Sequence, residues 1–371
     1  MLKSVFALHI TLFVILFVIP CGGHFVSTDA LAAPPAKQTC VTSACHSGYS
    51  KVQYKHGPIE AKGCTVCHYL GEGGMRLPPD HPAIKPIDRK SINESCLVCH
   101  DEFGEKMAKK QFIHKATTKE NCTGCHDAHG SNHKFLLKEK AAPDLCLTCH
   151  NKIQKAMGLS AAHHGPVTTG DACMTCHEVH ASNLKNLLKK PEKELCLKCH
   201  SKELKTATGA VLANIQKALE EGKVHHKPID DGECTACHAT HGSAKPSLLK
   251  HEYDGEFYQE ITEKSFDLCF SCHKPKLVEM SHVADETGFR NGQINLHYLH
   301  LRGQKKQRGC AACHAVHASR QPKLIADWVS FNDYQFPIKF QKVKDGGTCL
   351  TACHGAKTYD RIRGFKNAPG R

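Results

Sequence analysis

Large apolar side chains are scarce in this 371-residue chain, with one Trp, 8 Tyr and 15 Phe and a mean hydropathy of −0.39. A chain of this length has room for two or three ordinary domains, but it lacks the side chains to fill their cores. It has no G-x-y period, no long heptad run and no second hydrophobic span, which excludes the collagen, coiled-coil and polytopic membrane classes. Met is also sparse, with six residues. What the chain has instead is 23 Cys and 29 His. Another source of buried apolar surface is required, and these two residue types indicate its nature.

The single apolar run, Val5 to Ile19 after Lys3, is broken by His9 and Thr11 and has the length of a secretory h-region rather than a span. Ala30-Leu31-Ala32 offers a small-residue cleavage site, so residues 1–32 are expected to be an export signal. A rival reading is a lipoprotein acylated on Cys21, although Pro20 directly before it fits poorly. Removal of 1–32 takes Cys21 with it and leaves 22 Cys.

Those 22 form eleven pairs, each followed directly by His. Nine are C-x-x-C-H: Cys64/Cys67/His68, Cys96/Cys99/His100, Cys122/Cys125/His126, Cys146/Cys149/His150, Cys173/Cys176/His177, Cys196/Cys199/His200, Cys234/Cys237/His238, Cys269/Cys272/His273 and Cys310/Cys313/His314. Cys40/Cys45/His46 and Cys349/Cys353/His354 have longer spacers. Zinc ribbons also use C-x-x-C pairs, and an exported chain can form disulfides, but neither requires His after every pair. The pattern is that of c-type haem attachment. Two thiols about one helical turn apart each add to a vinyl group on one haem edge, and the next residue turns its imidazole to the iron. Eleven haem c groups are expected, covalently attached and mostly bis-His ligated. The fold expected is mostly irregular with short α-helices, an extended molecule whose core is a chain of covalently bound haems.

The motifs recur in doubled units. After an amino-terminal segment with the first motif (33–55), the units are 56–100, 114–150, 163–200, 225–273 and 297–354, followed by a basic tail, 355–371. A unit opens with a His, reads C-x-x-C-H, passes a linker such as FLLK, NLLK or SLLK, and closes with a second C-x-x-C-H. With these motifs the chain resembles the multihaem c-type cytochromes with doubled C-x-x-C-H motifs, including the cytochrome c3-type proteins and the decahaem cytochromes that carry electrons through outer-membrane porins. The resemblance runs from Cys40 to His354. Eleven motifs rather than ten, and the longer spacers at both ends, set this chain apart.

Two recurring His series are the candidates for the second axial ligand. One precedes each unit: His56, His114, His164, His226 and His300. The other lies three residues after a motif His: His129, His180, His241 and His317. A His at i+3 sits on the same side of its turn as the motif His and cannot reach the far face of the same haem, so it is expected to ligate a neighbouring one. The simplest register gives the upstream His to the first haem of its unit and the i+3 His to the second. His81 is the candidate for the second haem of unit 56–100. His/His ligation without Met implies low potentials.

The formal charge is +13. Two ionised propionates per haem, offset by one positive charge on each ferric core, would bring the holoprotein to about +2, so the lysines read as counter-charges and no nucleic-acid partner is expected. The clearest longer helix is expected at 210–221, from the stripe Val211, Leu212, Ile215 and Leu219. Inserts 274–300 and 320–348 are expected to contact partners. Six-coordinate haems favour electron transfer in anaerobic or extracellular respiration over catalysis, and no catalytic residue is expected. A reductase of nitrogen or sulfur oxyanions needs an open iron, and a subunit of an extracellular haem filament is a further alternative. The resemblance implies quinol-linked or periplasmic cytochrome donors, outer-membrane or extracellular acceptors, a porin as a further partner, and a location in the periplasm, at the outer membrane or outside the cell.

Overall fold

The computed structural model describes residues 46–68 and 89–368, apart from 161–162, 207, 254, 263 and 303–306. The export signal, Cys21, Cys40, Cys45 and His81 lie outside the described residues.

Each motif is a single tight turn. In the first motifs the His amide donates to the first Cys carbonyl, at 3.0 Å for His68, His126, His177 and His314 and 3.2 Å for His238. One i to i−4 bond therefore sets the two thiols and the imidazole in register. The second motifs continue into short helices: Asp101–Ala108 follows His100, Asn151–Gly158 follows His150, and Glu192–His200 ends on its own motif.

The linker repeat has a structural reason. Residues Phe135/Leu136, Asn186/Leu187, Ser247/Leu248 and Lys323/Leu324 all have positive φ, between 53° and 62°. This left-handed pair turns the chain back on the first motif, where Leu137, Leu188, Leu249 and Ile325 bridge to His126, His177, His238 and His314. The Ser two residues after each i+3 His helps to hold the loop. Ser182 and Ser243 donate to the Leu188 and Leu249 carbonyls at 2.6 Å, and Ser319 donates to Ile325.

Successive units are clipped together by two-residue strands: β1 (Tyr54–Lys55), β2 (Phe112–Ile113), β3 (Gly130–Ser131), β4 (Ala181–Ser182), β5 (Leu204–Lys205), β6 (Val211–Leu212), β7 (Val224–His225), β8 (Arg290–Asn291), β9 (Ile294–Asn295) and β10 (Ala318–Ser319). The pairings β1–β3, β2–β4 and β7–β10 are antiparallel and join one unit to the next. The close approach at β1–β3 requires Gly130, at φ 154°, because a Cβ there would stand 2.7 Å from the Tyr54 carbonyl oxygen.

The chain ends in an antiparallel meander of β11 (Trp328–Phe331), β12 (Tyr334–Val343), β13 (Gly346–Thr351) and β14 (His354–Asp360). The fold is mixed: the short helices and irregular chain expected from the sequence are joined by small sheets. Alternation on β12 drives the meander, with Phe336, Ile338 and Phe340 on one face and Lys339 and Gln341 on the other. The helix expected at 210–221 is also shorter. Val211 and Leu212 pair with Lys205 and Leu204, and the helix runs Ile215–Glu221, started by Asn214, whose side chain accepts from the Lys217 amide at 2.9 Å. No described helix is long and apolar enough to cross a membrane.

Among the described residues, the clusters of buried apolar side chains lie toward the carboxyl-terminal end. Phe266, Val278 and Leu301 make one buried cluster and Ala326, Val329 and Ile338 another. Between residues 46 and 250, Ala172, Leu219 and Leu249 are the buried apolar side chains among those described. In place of a core there is one continuous cavity of about 5130 Å³, lined from His56 to Asn367. That is roughly ten times a single small-ligand pocket.

Candidate haem-binding sites

The imidazoles face one another across this cavity in pairs. Ring centroids lie 6.1 Å apart for His56–His100, 5.9 Å for His68–His129, 6.0 Å for His114–His150 and 6.2 Å for His126–His180. They lie 6.4 Å apart for His164–His200, 6.0 Å for His177–His241, 6.1 Å for His226–His273 and 6.3 Å for His238–His317. In these eight pairs the planes are 7° to 19° apart. His300–His354 makes a ninth pair at 6.4 Å, tilted by 50°. A metal about 2 Å from each ligating nitrogen, with each nitrogen about 1.1 Å from its ring centre, puts two imidazoles about 6.2 Å apart. The pairs have the spacing of two axial ligands with one iron between them.

The pairing differs from the expected register. Each upstream His faces the second motif His of its own unit, and each i+3 His faces the first motif His of the preceding unit. The strand clips cause this. Pairing β1 with β3 brings His56 beside His129, with the His56 amide donating to the His129 carbonyl at 3.1 Å. The same bond joins His114 to His180 at 2.8 Å and His226 to His317 at 3.2 Å. Two distal imidazoles thus leave each clip in opposite directions, toward different motifs. The ring that faces His100 is His56, and His81 lies outside the described residues.

Hydrogen bonds orient the rings. Nδ1 of His126, His177, His238 and His314 donates to the carbonyls of Phe135 (2.7 Å), Asn186 (2.7 Å), Ser247 (2.9 Å) and Lys323 (3.1 Å), all in the left-handed loops. Nδ1 of His56, His114 and His164 donates to Ala128 (2.9 Å), Val179 (3.0 Å) and Thr240 (3.1 Å). A carbonyl can only accept, so these Nδ1 atoms carry the proton and Nε2 keeps the lone pair a metal needs. Burial lowers the pKa of His164, His180, His241, His314 and His317 and holds them neutral, the ligating form.

The last unit has no successor to lend an i+3 His, and the residue standing in that place was missed in the sequence. His297 lines the cavity three residues before His300 on helix Leu296–Leu301. Burial, followed by the neighbouring His314 and His300, pushes its pKa down to about 4. Its Nδ1 meets Thr287 Oγ1 at 3.1 Å. Two signals in the sequence would have found it, the absent sixth unit and the i, i+3 spacing to His300. By contrast, His225 is structural: its Nδ1 meets Asp230 at 2.8 Å and its Nε2 meets the Leu219 carbonyl at 2.9 Å. The Asp230 bond raises its pKa, opposite to the facing rings. At the amino-terminal end, His46 lies 6.0 Å from Tyr49, whose ring is 4.5 Å from His129.

The thiols connect one site to the next. Cys96 touches Cys122, Cys146 touches Cys173, Cys196 touches Cys234 and Cys269 touches Cys310, each close enough to hydrogen-bond. Every contact joins the second motif of one unit to the first motif of the next. The twenty described cysteines are free of disulfides. No group of three or more His, Cys, Asp or Glu converges on a metal position among the described residues, so the donor sets do not fit a zinc ribbon. They fit haem: a thiol pair at the edge, an imidazole on each face and an apolar cavity between.

The class these sites define is a covalent multi-cofactor protein. Stretches 114–155, 164–205 and 226–277 match the family model of the doubled CXXCH motif. Doubled motifs of this kind are consistent with a multihaem c-type cytochrome, and the CXXCH cysteines indicate covalently bound haem c. No curated protein matches it.

The clip geometry predicts a paired failure. Gly130→Val should collide with the Tyr54 carbonyl and displace His56 and His129 together. Ferric EPR should then show high-spin signal from two sites, His68 and His100, where a defect confined to one ring would show one.

Proposed function

We propose that this protein is an exported electron-transfer conduit carrying eleven haems. Ten are ligated on both faces: nine by the ring pairs above and the tenth, on Cys310 and Cys313, by His314 and His297. Cys40, Cys45 and His46 hold the eleventh. When bound, each group supplies reversible one-electron Fe(III)/Fe(II) chemistry. The polypeptide's part is to close both faces of ten of these irons with imidazole, to exclude water and substrate there, and to keep the irons in sequence. The observation that carries this reading is the combination of nine facing imidazole pairs with thiol contacts between consecutive units. Together they favour closed irons and bring neighbouring macrocycle edges into contact.

Ligation by two imidazoles keeps the potentials low, since Met ligation would raise them. The low-potential range suits anaerobic or extracellular respiration. On this reading the donors are quinol-linked or periplasmic cytochromes and the acceptors are outer-membrane or extracellular redox proteins. The chain works in the periplasm, at the outer membrane beside a porin, or outside the cell.

A pyridine haemochrome assay with intact mass should give eleven haems per chain, and nine would remove the two motifs with long spacers. Resting ferric EPR should be low-spin for the ten haems ligated on both faces. A stoichiometric high-spin signal from one of those ten would favour the oxyanion reductase instead. His180→Met should raise the midpoint of one haem, the one on Cys122 and Cys125, and leave covalent attachment intact. Unchanged midpoints would show that His180 is not a ligand.

A further inference from the structure

One site departs from the rest. The planes of His300 and His354 are 50° apart, against 7° to 19° in the eight nearly parallel pairs. The cause is local. Three residues separate Cys349 from Cys353, and the motif spans the β13–β14 turn, where the ladder shifts register between Cys349 and Thr351. His354 donates from Nδ1 to the Gly355 carbonyl at 2.7 Å. His300 donates from Nδ1 to Leu296, on its own helix, at 2.6 Å, whereas the matching His56, His114 and His164 donate to the following unit. Phe289 lies over the His300 ring at 5.8 Å and 26°, and is itself held edge-on by Tyr359 at 5.2 Å and 87°.

We propose that Phe289 and the Leu296 carbonyl hold His300 crossed to His354, so that the haem on Cys349 and Cys353 is the one with crossed axial imidazoles and the first in the chain to accept an electron. The inference rests on the bis-His ligation proposed above. An imidazole donates π density through the orbital normal to its plane. Parallel rings direct both donations into one iron d orbital and stabilise the ferric state. Crossed rings divide the donation between two orbitals, which leaves those orbitals closer in energy and the ferric state less favoured. This site adjoins the buried cluster of Val329 and Ile338, against which Cys349 packs. The step adds one electron to ferric iron, supplied by the one-electron reductant of the titration, which is oxidised by one electron in turn. No bond to iron forms or breaks, and no proton moves. Phe289 is a positioning residue, acting through His300.

The test is ferric EPR of the holoprotein during a stepwise reductive titration. One strongly anisotropic low-spin signal, integrating to one iron per chain and separate from the rhombic signals, should be the first to vanish. Phe289→Leu keeps both histidines. It should move that signal toward the rhombic group and delay its reduction, with the haem count and low-spin state unchanged. His300→Ala should convert the same signal, and that signal alone, to high spin. Absence of the anisotropic signal, its persistence unchanged in either variant, or its reduction after the rhombic signals would overturn the proposal. A high-spin resting protein would instead overturn bis-His ligation itself, so the two failures are distinguishable.

Discussion

Two imidazoles facing each other about 6 Å apart are the constraint on which the rest of this molecule depends. Neither ring of a pair is useful alone, and in four pairs the two rings come from different units. His68 meets His129, His126 meets His180, His177 meets His241 and His238 meets His317. Each unit therefore completes the one before it. The two-residue strands look too short to matter as sheet, since an isolated pair of this size has little stability of its own. Their role is to fix where two neighbouring His rings leave the backbone.

This arrangement explains how a chain poor in aromatic side chains holds a fold. The few buried apolar residues between 46 and 250 would not stabilise a domain of that size. On the proposed reading, thioether-bound haems would fill the cavity with large apolar rings, and the interleaved ligands would tie those on four of the first motifs to two units each. Repeats of this kind need special ends. The carboxyl-terminal end is closed by the insert that carries His297 and His300 three residues apart and by the meander that carries His354. Among the described residues, the ordinary protein core is found here.

What the sequence made legible was the chemistry confined to a few adjacent residues. A thiol pair followed by His is set by haem attachment within one turn, so all the motifs could be read directly. The i+3 histidines could be recognised as ligands to another haem, because the helical turn forbids their own. Their actual partners could not be read, because β1–β3 and its counterparts join residues some 75 positions apart. Proximity in sequence suggested that His56 serves the first motif, yet the clip points it at His100. The period-two pattern of Phe336, Ile338 and Phe340 was present in the sequence but was not read as a strand. The helix start was misplaced because Asn214, a strong cap, lay inside an apolar stripe that continues on its amino-terminal side as strand.

The account is tested most directly by locating the irons. Anomalous diffraction at the iron edge from crystals of the holoprotein should place one iron midway between the rings of each facing pair, with His68 and His129 sharing one and His56 and His100 the next. Irons shared within single units in the other register, or metal bound by the cysteines without facing imidazoles, would contradict it.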